Sequence, residues 1–292
     1  MIKEIEFTKM HALGNDYIVI DESIDEVIPE ESKNKLSEVI CTRRFNVGAD
    51  GVVFACKSDK ADIRFRIFNS DGSEAQMCGN GIRCLAKFVY DKDIVKKDVM
   101  KIETMEDIKE ARLTVVDDTV KDIEIDMGKG FFVPEEIPAV APSGNTTEFI
   151  DEDVDVEGEK IRMSAVSVGN PHAVCFTDTN IDDINLDFYG PRIECHEAFP
   201  EKVNVHFVNI LSPEEIDILT WERGAGFTYA CGTGTTSCVL LGYKQGLLNE
   251  HVHAHLSGGD LDITVTDCGD YLTAVMKGEA ITVYEAKMNV EL

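Results

Sequence analysis

This 292-residue sequence is short of basic charge, long apolar runs and paired cysteine motifs. No apolar stretch approaches the ~20 residues that a membrane span requires. The opening MIKEIEFTKM alternates charge with hydrophobe and has no signal-peptide core, so a cytoplasmic protein is expected. Only 28 Lys and Arg stand against 55 Asp and Glu, a formal charge of −27, which argues against nucleic acid and anionic membranes as partners. The acidic runs are too short to imply disorder, and the length suits one large domain or two ordinary ones. Nine cysteines include no C-x-x-C pair, so neither a structural zinc site nor a thioredoxin-like dithiol is supported. Without a secretory signal a disulfide framework is not expected either. Cys41, Cys56, Cys175, Cys195 and Cys268 lie in or beside apolar runs, and Cys84 and Cys238 lie within expected helices. Most of these read as small buried hydrophobes.

Cys78 and Cys231 differ, because each stands at a glycine-flanked turn. The chain contains one short stretch twice: MCGNGIRC at Met77 to Cys84, and ACGTGTTSC at Ala230 to Cys238. In each, a cysteine precedes Gly-x-Gly and then a run able to open a helix. Glycines let backbone N–H groups approach a ligand, and a helix start aims orphan N–H groups and partial positive charge at the turn. The same field lowers the pKa of a thiol there, from about 8.5 into the range of roughly 3.5–7.5. Two activated thiols are therefore expected, each beside a carboxylate or phosphate cradle.

Read in order, Ile5 to Met10 alternates as a strand, and a Gly-Asn-Asp turn precedes the apolar run Tyr17 to Ile20. PEESKNKLSEVICTRR reads as a helix, and ADIRFRIFN as a strand with Ile63, Phe65 and Ile67 on one face. KIETMEDIKEARLTVVDDTVKDIEIDMG reads mostly as strands, and the acidic FIDEDVDVEGE as a hairpin or loop. The glycine- and proline-rich GKGFFVPEEIPAVAPSGN marks a boundary between halves, residues 1–128 and 129–279. The second half repeats the first: GNPHAVCF parallels GNDYIVI, FPEKVNVHFVNI parallels RRFNVGADGVVF, and the cysteine stretches parallel each other. Asn15 and Asn170 are 155 positions apart, Cys78 and Cys231 153. Three matches in register argue for an internal duplication. Two similar domains about a pseudo-two-fold axis would face their cysteines across an interdomain cleft, and a carbon held there could lose a proton on one face and regain it on the other.

GNDYIVID, FNSDGSEAQMCGNGIRC, GNPH, VNVHFV and WERGAGFTYACGTGT together closely resemble the diaminopimelate epimerase family. The resemblance implies an α/β (α+β) fold of two pseudo-symmetric domains, each a mixed, mostly antiparallel sheet wrapped round a central helix, with the C-terminal strand, 280–292, completing the first. It implies conversion of LL- to meso-diaminopimelate in lysine biosynthesis, with no pyridoxal phosphate or metal, and a homodimer. Cys78 and Cys231 would be the acid/base pair, and Asn15, Asn69, Asn170 and Asn204 the ligand-binding asparagines. Gly79, Asn80, Gly232 and Thr233 would cradle the reacting carboxylate. Glu222 and Arg223 would contact the substrate's charged groups, and His172 and Glu222 would tune the thiols. Some family members have glutamine as a further ligand contact where this chain has Gly51.

Other readings are weaker. His251, His253 and His255 would share one strand face, where an exposed strand explains the alternation better than zinc does. Neither glycine turn completes G-x-G-x-x-G, and no G-K-[ST] follows, which excludes a nucleotide loop. A proline or hydroxyproline racemase is the nearest enzymatic alternative; a thiol redox sensor is the non-enzymatic one.

Overall fold

The computed structural model describes residues 2–105 and 107–291. The chain begins with strands β1 (Ile2–Ala12) and β2 (Asn15–Glu22), helix α1 (Lys33–Ile40), and strands β3 (Gly51–Cys56), β4 (Ile63–Asn69) and β5 (Glu74–Ala75). Helix α2 (Gly79–Asp91) follows, then β6 (Val99–Glu103), β7 (Ile108–Val116) and β8 (Thr119–Lys129). Next come β9 (Glu152–Val156), β10 (Glu159–Ser167), β11 (Pro171–Thr177), α3 (Leu186–Glu194), β12 (Asn204–Ser212), β13 (Glu215–Glu222) and β14 (Gly226–Phe227). Helix α4 (Gly232–Lys244) and strands β15 (His251–Leu256), β16 (Gly259–Asp267), β17 (Leu272–Gly278) and β18 (Ile281–Glu291) complete the order. The chain forms two compact units, Met1–Asp126 with Lys277–Leu292, and Met127–Met276.

In the first unit β1 pairs antiparallel with β18 and β2, β2 runs parallel to β3, and β3 antiparallel to β4. β4 then pairs antiparallel with β5 and parallel with β6, which is antiparallel to β7. The second unit repeats this sequence of pairings step for step. β10–β11 is antiparallel, β11–β12 parallel and β12–β13 antiparallel. β13 then pairs antiparallel with β14 and parallel with β15, which is antiparallel to β16. The duplication read from three sequence matches therefore extends through the connectivity, with α1 and α3 in equivalent places. The fold class is α/β, with few helices and mixed, mostly antiparallel strands. The acidic run expected as a hairpin or loop is the antiparallel β9–β10 hairpin.

Alternation along the strands sends side chains to two faces. In the first unit Ile18, Ile20, Val52, Phe54 and Phe68 form one core with Leu36 and Ile40 of α1. The intervening residues, among them Tyr17 and Val19, are equally buried on the opposite face, where α2 lies against β1 to β4. In the second unit Ala173, Cys175, Val205 and Phe207 join Leu186 and Ile193 of α3, while α4 lies against β10, β11, β12 and β16. Helices α2 and α4 are buried nearly all round, so that even Arg83 and Lys87 of α2 and Thr235, Thr236 and Ser237 of α4 are enclosed.

The sequence reading missed α3, whose interior contains Gly190 and Pro191. The glycine is there because the Trp221 indole lies on it: a Cβ would stand 2.5 Å from the ring. Of the cysteines expected as buried hydrophobes, Cys41, Cys84, Cys175 and Cys238 are buried, Cys56 is half-buried, and Cys195 and Cys268 are exposed. Cys195 caps the end of α3 and Cys268 sits in the turn after β16, so neither faces a core. Among the described residues no helix is long and apolar enough to cross a membrane.

Candidate active site

Each cysteine of the repeated stretch is the residue that caps the start of a helix, Cys78 for α2 and Cys231 for α4. The second glycine of each turn lies against the sheet, closely at Gly81 and with no room for a Cβ at Gly234. A Cβ at Gly81 would come 3.2–3.4 Å from the Phe65 and Ile67 side chains. At Gly234 it would stand 2.2 Å from Cε1 of His206. These glycines let the helix start press onto the sheet beneath, which fixes the height of the cysteine above β4 or β12.

In the first unit Cys78 is half-buried, and its Sγ lies 3.1 Å from the phenolic oxygen of Tyr17. Burial, then the charges of Cys78 and Cys84, push the Tyr17 phenol well above its ordinary value. Arg83, wholly buried in α2, donates through Nη2 to Asn80 Oδ1 at 2.9 Å. Burial lowers its guanidinium from the ordinary value, opposed by Cys84, Cys78, Tyr17 and Glu279. Asn80 Nδ2 donates to Asn15 Oδ1 at 2.6 Å, and Asn15 Nδ2 donates to Asp50 at 3.3 Å. Asn15, Asn80 and Arg83 thus form one hydrogen-bonded line. Asn69 stands apart from that line, its Nδ2 donating to the Ser73 hydroxyl in the following turn. Gly51 is buried in β3, and a Cβ there would meet the Phe68 carbonyl oxygen at 2.7 Å. A longer side chain at 51 would need the backbone to move.

In the second unit the Cys231 Sγ accepts the Gly234 N–H at 3.4 Å and lies 3.5 Å from Thr233 Oγ1. Both interactions favour a thiolate, as the sequence reading expected. They lose: burial first, and Glu222 next, push the Cys231 thiol well above its ordinary value. The expected lowering by the helix start is therefore corrected at Cys231. Its Sγ is enclosed, and the neighbouring Glu222 carboxylate favours the protonated form.

Behind Cys231 lies a chain of buried polar groups. Asn170 Oδ1 accepts from His172 Nε2 at 2.8 Å, so the neutral ring has a bare Nδ1. That atom takes the N–H of His206 Nε2 at 2.9 Å, and His206 Nδ1 accepts from the Thr220 hydroxyl at 3.0 Å. Burial lowers His206 to about 3, and burial with the neighbouring His206 and Arg223 puts His172 well below its usual range. Asn204 Nδ2 donates to the Pro171 carbonyl at 2.9 Å while its Oδ1 accepts the Arg223 N–H at 3.0 Å. The Arg223 guanidinium is exposed and donates to the Glu201 carbonyl. Cys231, Thr233, Glu222, Asn170, His172 and Asn204 are thus gathered in the second unit, with the Arg223 side chain turned outward.

Among the described residues two clusters have donor atoms close enough for a metal: His172, His206 and Cys231, and His253, His255 and Asp260. In the first, all four imidazole nitrogens are committed to the chain just described. In the second, Glu215 and Asp260 hold both nitrogens of His255 and raise its pKa, which favours a proton over a metal.

The sequence reading did not single out Tyr17, Arg83, His206 and Thr220. Two signals pointed to some of them: a lone arginine in the apolar run IRCLAKFVY, and the equivalence of Tyr17 to His172 at the 155-residue separation.

Solved structures share this architecture at low identity. A PhzF-family phenazine biosynthesis protein from Bacillus anthracis aligns over 99% of this chain and 100% of its own, with TM-score 0.72 and 17% identity. A probable proline racemase from Agrobacterium radiobacter K84 aligns over 98% and 93%, with TM-score 0.72 and 16% identity. They define the fold class and no more. The sequence goes further: the family model for diaminopimelate epimerase matches residues 7–133 and 164–283. The diaminopimelate epimerase of Methanothermobacter thermautotrophicus is 52% identical over 282 residues, 96% of this chain and 97% of that protein. That of Methanocaldococcus jannaschii is 50% identical over 295 residues, 97% and 98%. The chain belongs to the diaminopimelate epimerase family, and it is an isomerase.

Proposed function

We propose that this enzyme converts LL-diaminopimelate to the meso form in lysine biosynthesis, using Cys78 and Cys231 as its two proton-transfer groups. The observation that carries the reading is a cysteine capping the start of a buried helix in each unit, in a chain of this family.

The α-proton of an amino acid is weakly acidic, so the charge that develops as it leaves must be stabilised. Backbone N–H groups at a helix start serve that need. Gly79 and Asn80 supply them beside Cys78, and Gly232 and Thr233 beside Cys231. Asn15, Asn69, Asn170 and Asn204, with Glu222 and Arg223, hold the rest of the substrate. One thiolate takes the proton as the Cα–H bond breaks and an S–H forms. The other thiol gives up its proton as a new Cα–H forms on the opposite face. Enclosure and the neighbouring Glu222 carboxylate support a neutral thiol at Cys231. His172, held neutral with its hydrogen bonds assigned, orients the surroundings of Cys231 without adding charge. Acid–base transfer contributes about a hundred- to ten-thousand-fold, and the helix starts and positioning supply the remainder. The enzyme acts without pyridoxal phosphate or metal, in the cytoplasm, as a homodimer.

A substrate panel tests the activity. Purified, reduced enzyme is given LL-diaminopimelate, L-proline or trans-4-hydroxyproline, and the stereoisomers are separated by chiral chromatography. Turnover of diaminopimelate alone is expected. Turnover of a proline compound, with diaminopimelate untouched, would overturn the substrate assignment.

A further inference from the structure

We propose that Tyr17 is a positioning residue for Cys78, its phenol donating a hydrogen bond that orients the sulfur and stabilises the thiolate. This rests on the two-thiol reading and deepens it.

Tyr17 is the third residue of β2, 4% exposed, on the face that meets α2, and its hydroxyl lies 3.1 Å from Cys78 Sγ. A buried phenol needs a hydrogen-bond partner, and here a sulfur at a helix start fills that role. Burial and the neighbouring Cys78, Cys84 and Asp50 all keep the phenol protonated, so toward a Cys78 thiolate, which has no proton to give, its O–H is the donor. The buried Arg83 guanidinium favours negative charge on Cys78 from the α2 side. Phenol and guanidinium therefore act on this sulfur in the same direction.

The duplication supports the assignment independently. Tyr17 and His172 are 155 positions apart, as are Asn15 and Asn170, and each follows a Gly-Asn turn. Their parallel partners Gly51 and Asn204 are 153 apart, the separation of the two cysteines. The same strand position thus carries a polar ring beside each thiol: phenol at Cys78, imidazole within 4.8 Å of Cys231. The two rings differ in kind. His172 is a neutral ring in a relay of neutral groups, beside a thiol that burial keeps protonated. Tyr17 is a donor that cannot accept the sulfur's proton, beside a sulfur flanked by a buried cation.

The test is Tyr17→Phe, which keeps the ring and removes the O–H. A hydrogen bond to a charged acceptor corresponds to a pKa shift of about one to two units. The acidic limb of kcat/KM should move upward by that amount. The pH midpoint of Cys78 carbamidomethylation, followed by peptide mass spectrometry, should rise by the same amount, with that of exposed Cys195 unchanged as the internal control. Placing 3-fluorotyrosine at position 17, a stronger donor, should move the limb the other way and keeps the test available if the phenylalanine variant folds poorly. A limb and an alkylation midpoint unmoved by either replacement would overturn the proposal. Full turnover in Cys78→Ser would instead overturn the two-thiol reading on which it stands.

Discussion

Gly234→Ala adds one methyl group where the structure has no room for it. The new Cβ would lie 2.2 Å from His206 Cε1, and ordinary contact between carbons is about 3.5–4.0 Å, so α4 or the ring must shift by more than about 1 Å. The ring is not free to yield, because His172 and Thr220 hold its two nitrogens. Overpacking of this severity costs up to about 3 kcal/mol, while alanine in place of glycine in a helix returns about 1 kcal/mol. The net expectation is a loss of about 2 kcal/mol. Gly81→Ala is the matched control. Its Cβ meets only the tips of Phe65 and Ile67 at 3.2–3.4 Å, which can give way, so its net change should fall within about 1 kcal/mol of zero. Urea unfolding at constant m measures both. Adding His206→Ala to Gly234→Ala should cost less than the sum of the two single changes, because the obstacle is gone. A Gly234→Ala protein that unfolds at the wild-type urea concentration, or strict additivity with His206→Ala, would refute the packing argument.

The buried imidazoles make a second prediction. His206 is lowered to about 3 in the folded state, so its contribution is complete above the unfolded value near 6.5 and is lost as pH falls toward 3. Stability should decline by about 1.4 kcal/mol per pH unit across that window from this group alone. His206→Gln should flatten the slope in denaturant titrations at pH 7 and pH 5, and an identical slope would contradict the buried neutral ring. The cysteines act at the other end of the scale. Cys41, Cys84 and Cys175 are pushed up to about 12, so their contribution is complete below the unfolded thiol value and fades as pH rises from about 8.5 toward 12. Thermal midpoints should drop over that range, and Cys175→Ala should drop less steeply than wild type.

Much of the fold was legible because the repeated stretches carry local and global signals that agree. A cysteine, a Gly-x-Gly turn and a largely apolar run announce a buried helix, and α2 and α4 are such helices. Helix α3 was hidden by Gly190 and Pro191, which locally read as a break. Only the Trp221 indole lying on Gly190, a contact across 31 positions of sequence, explains the glycine. The duplication itself contained the missing information, since a helix between β2 and β3 implies one between β11 and β12. Gly234 was read as ligand-facing, yet the His206 ring beneath it leaves no room for a side chain, and sequence spacing does not reveal what lies underneath. The protonation of Cys231 was beyond the sequence for a similar reason: enclosure and Glu222 outweigh the helix start, and burial is a property of the fold.

The most direct test of the account is α-proton exchange in heavy water, starting from LL-diaminopimelate with no added cofactor and followed by NMR. Wild type, Cys78→Ser and Cys231→Ser would be run side by side. Two thiols acting on opposite faces predict deuterium at the α-carbon of the meso product, with little in recovered substrate at early times, and loss of epimerisation in both variants. Deuterium accumulating equally in substrate and product, or full epimerisation by either serine variant, would contradict a mechanism that divides proton removal and return between Cys78 and Cys231.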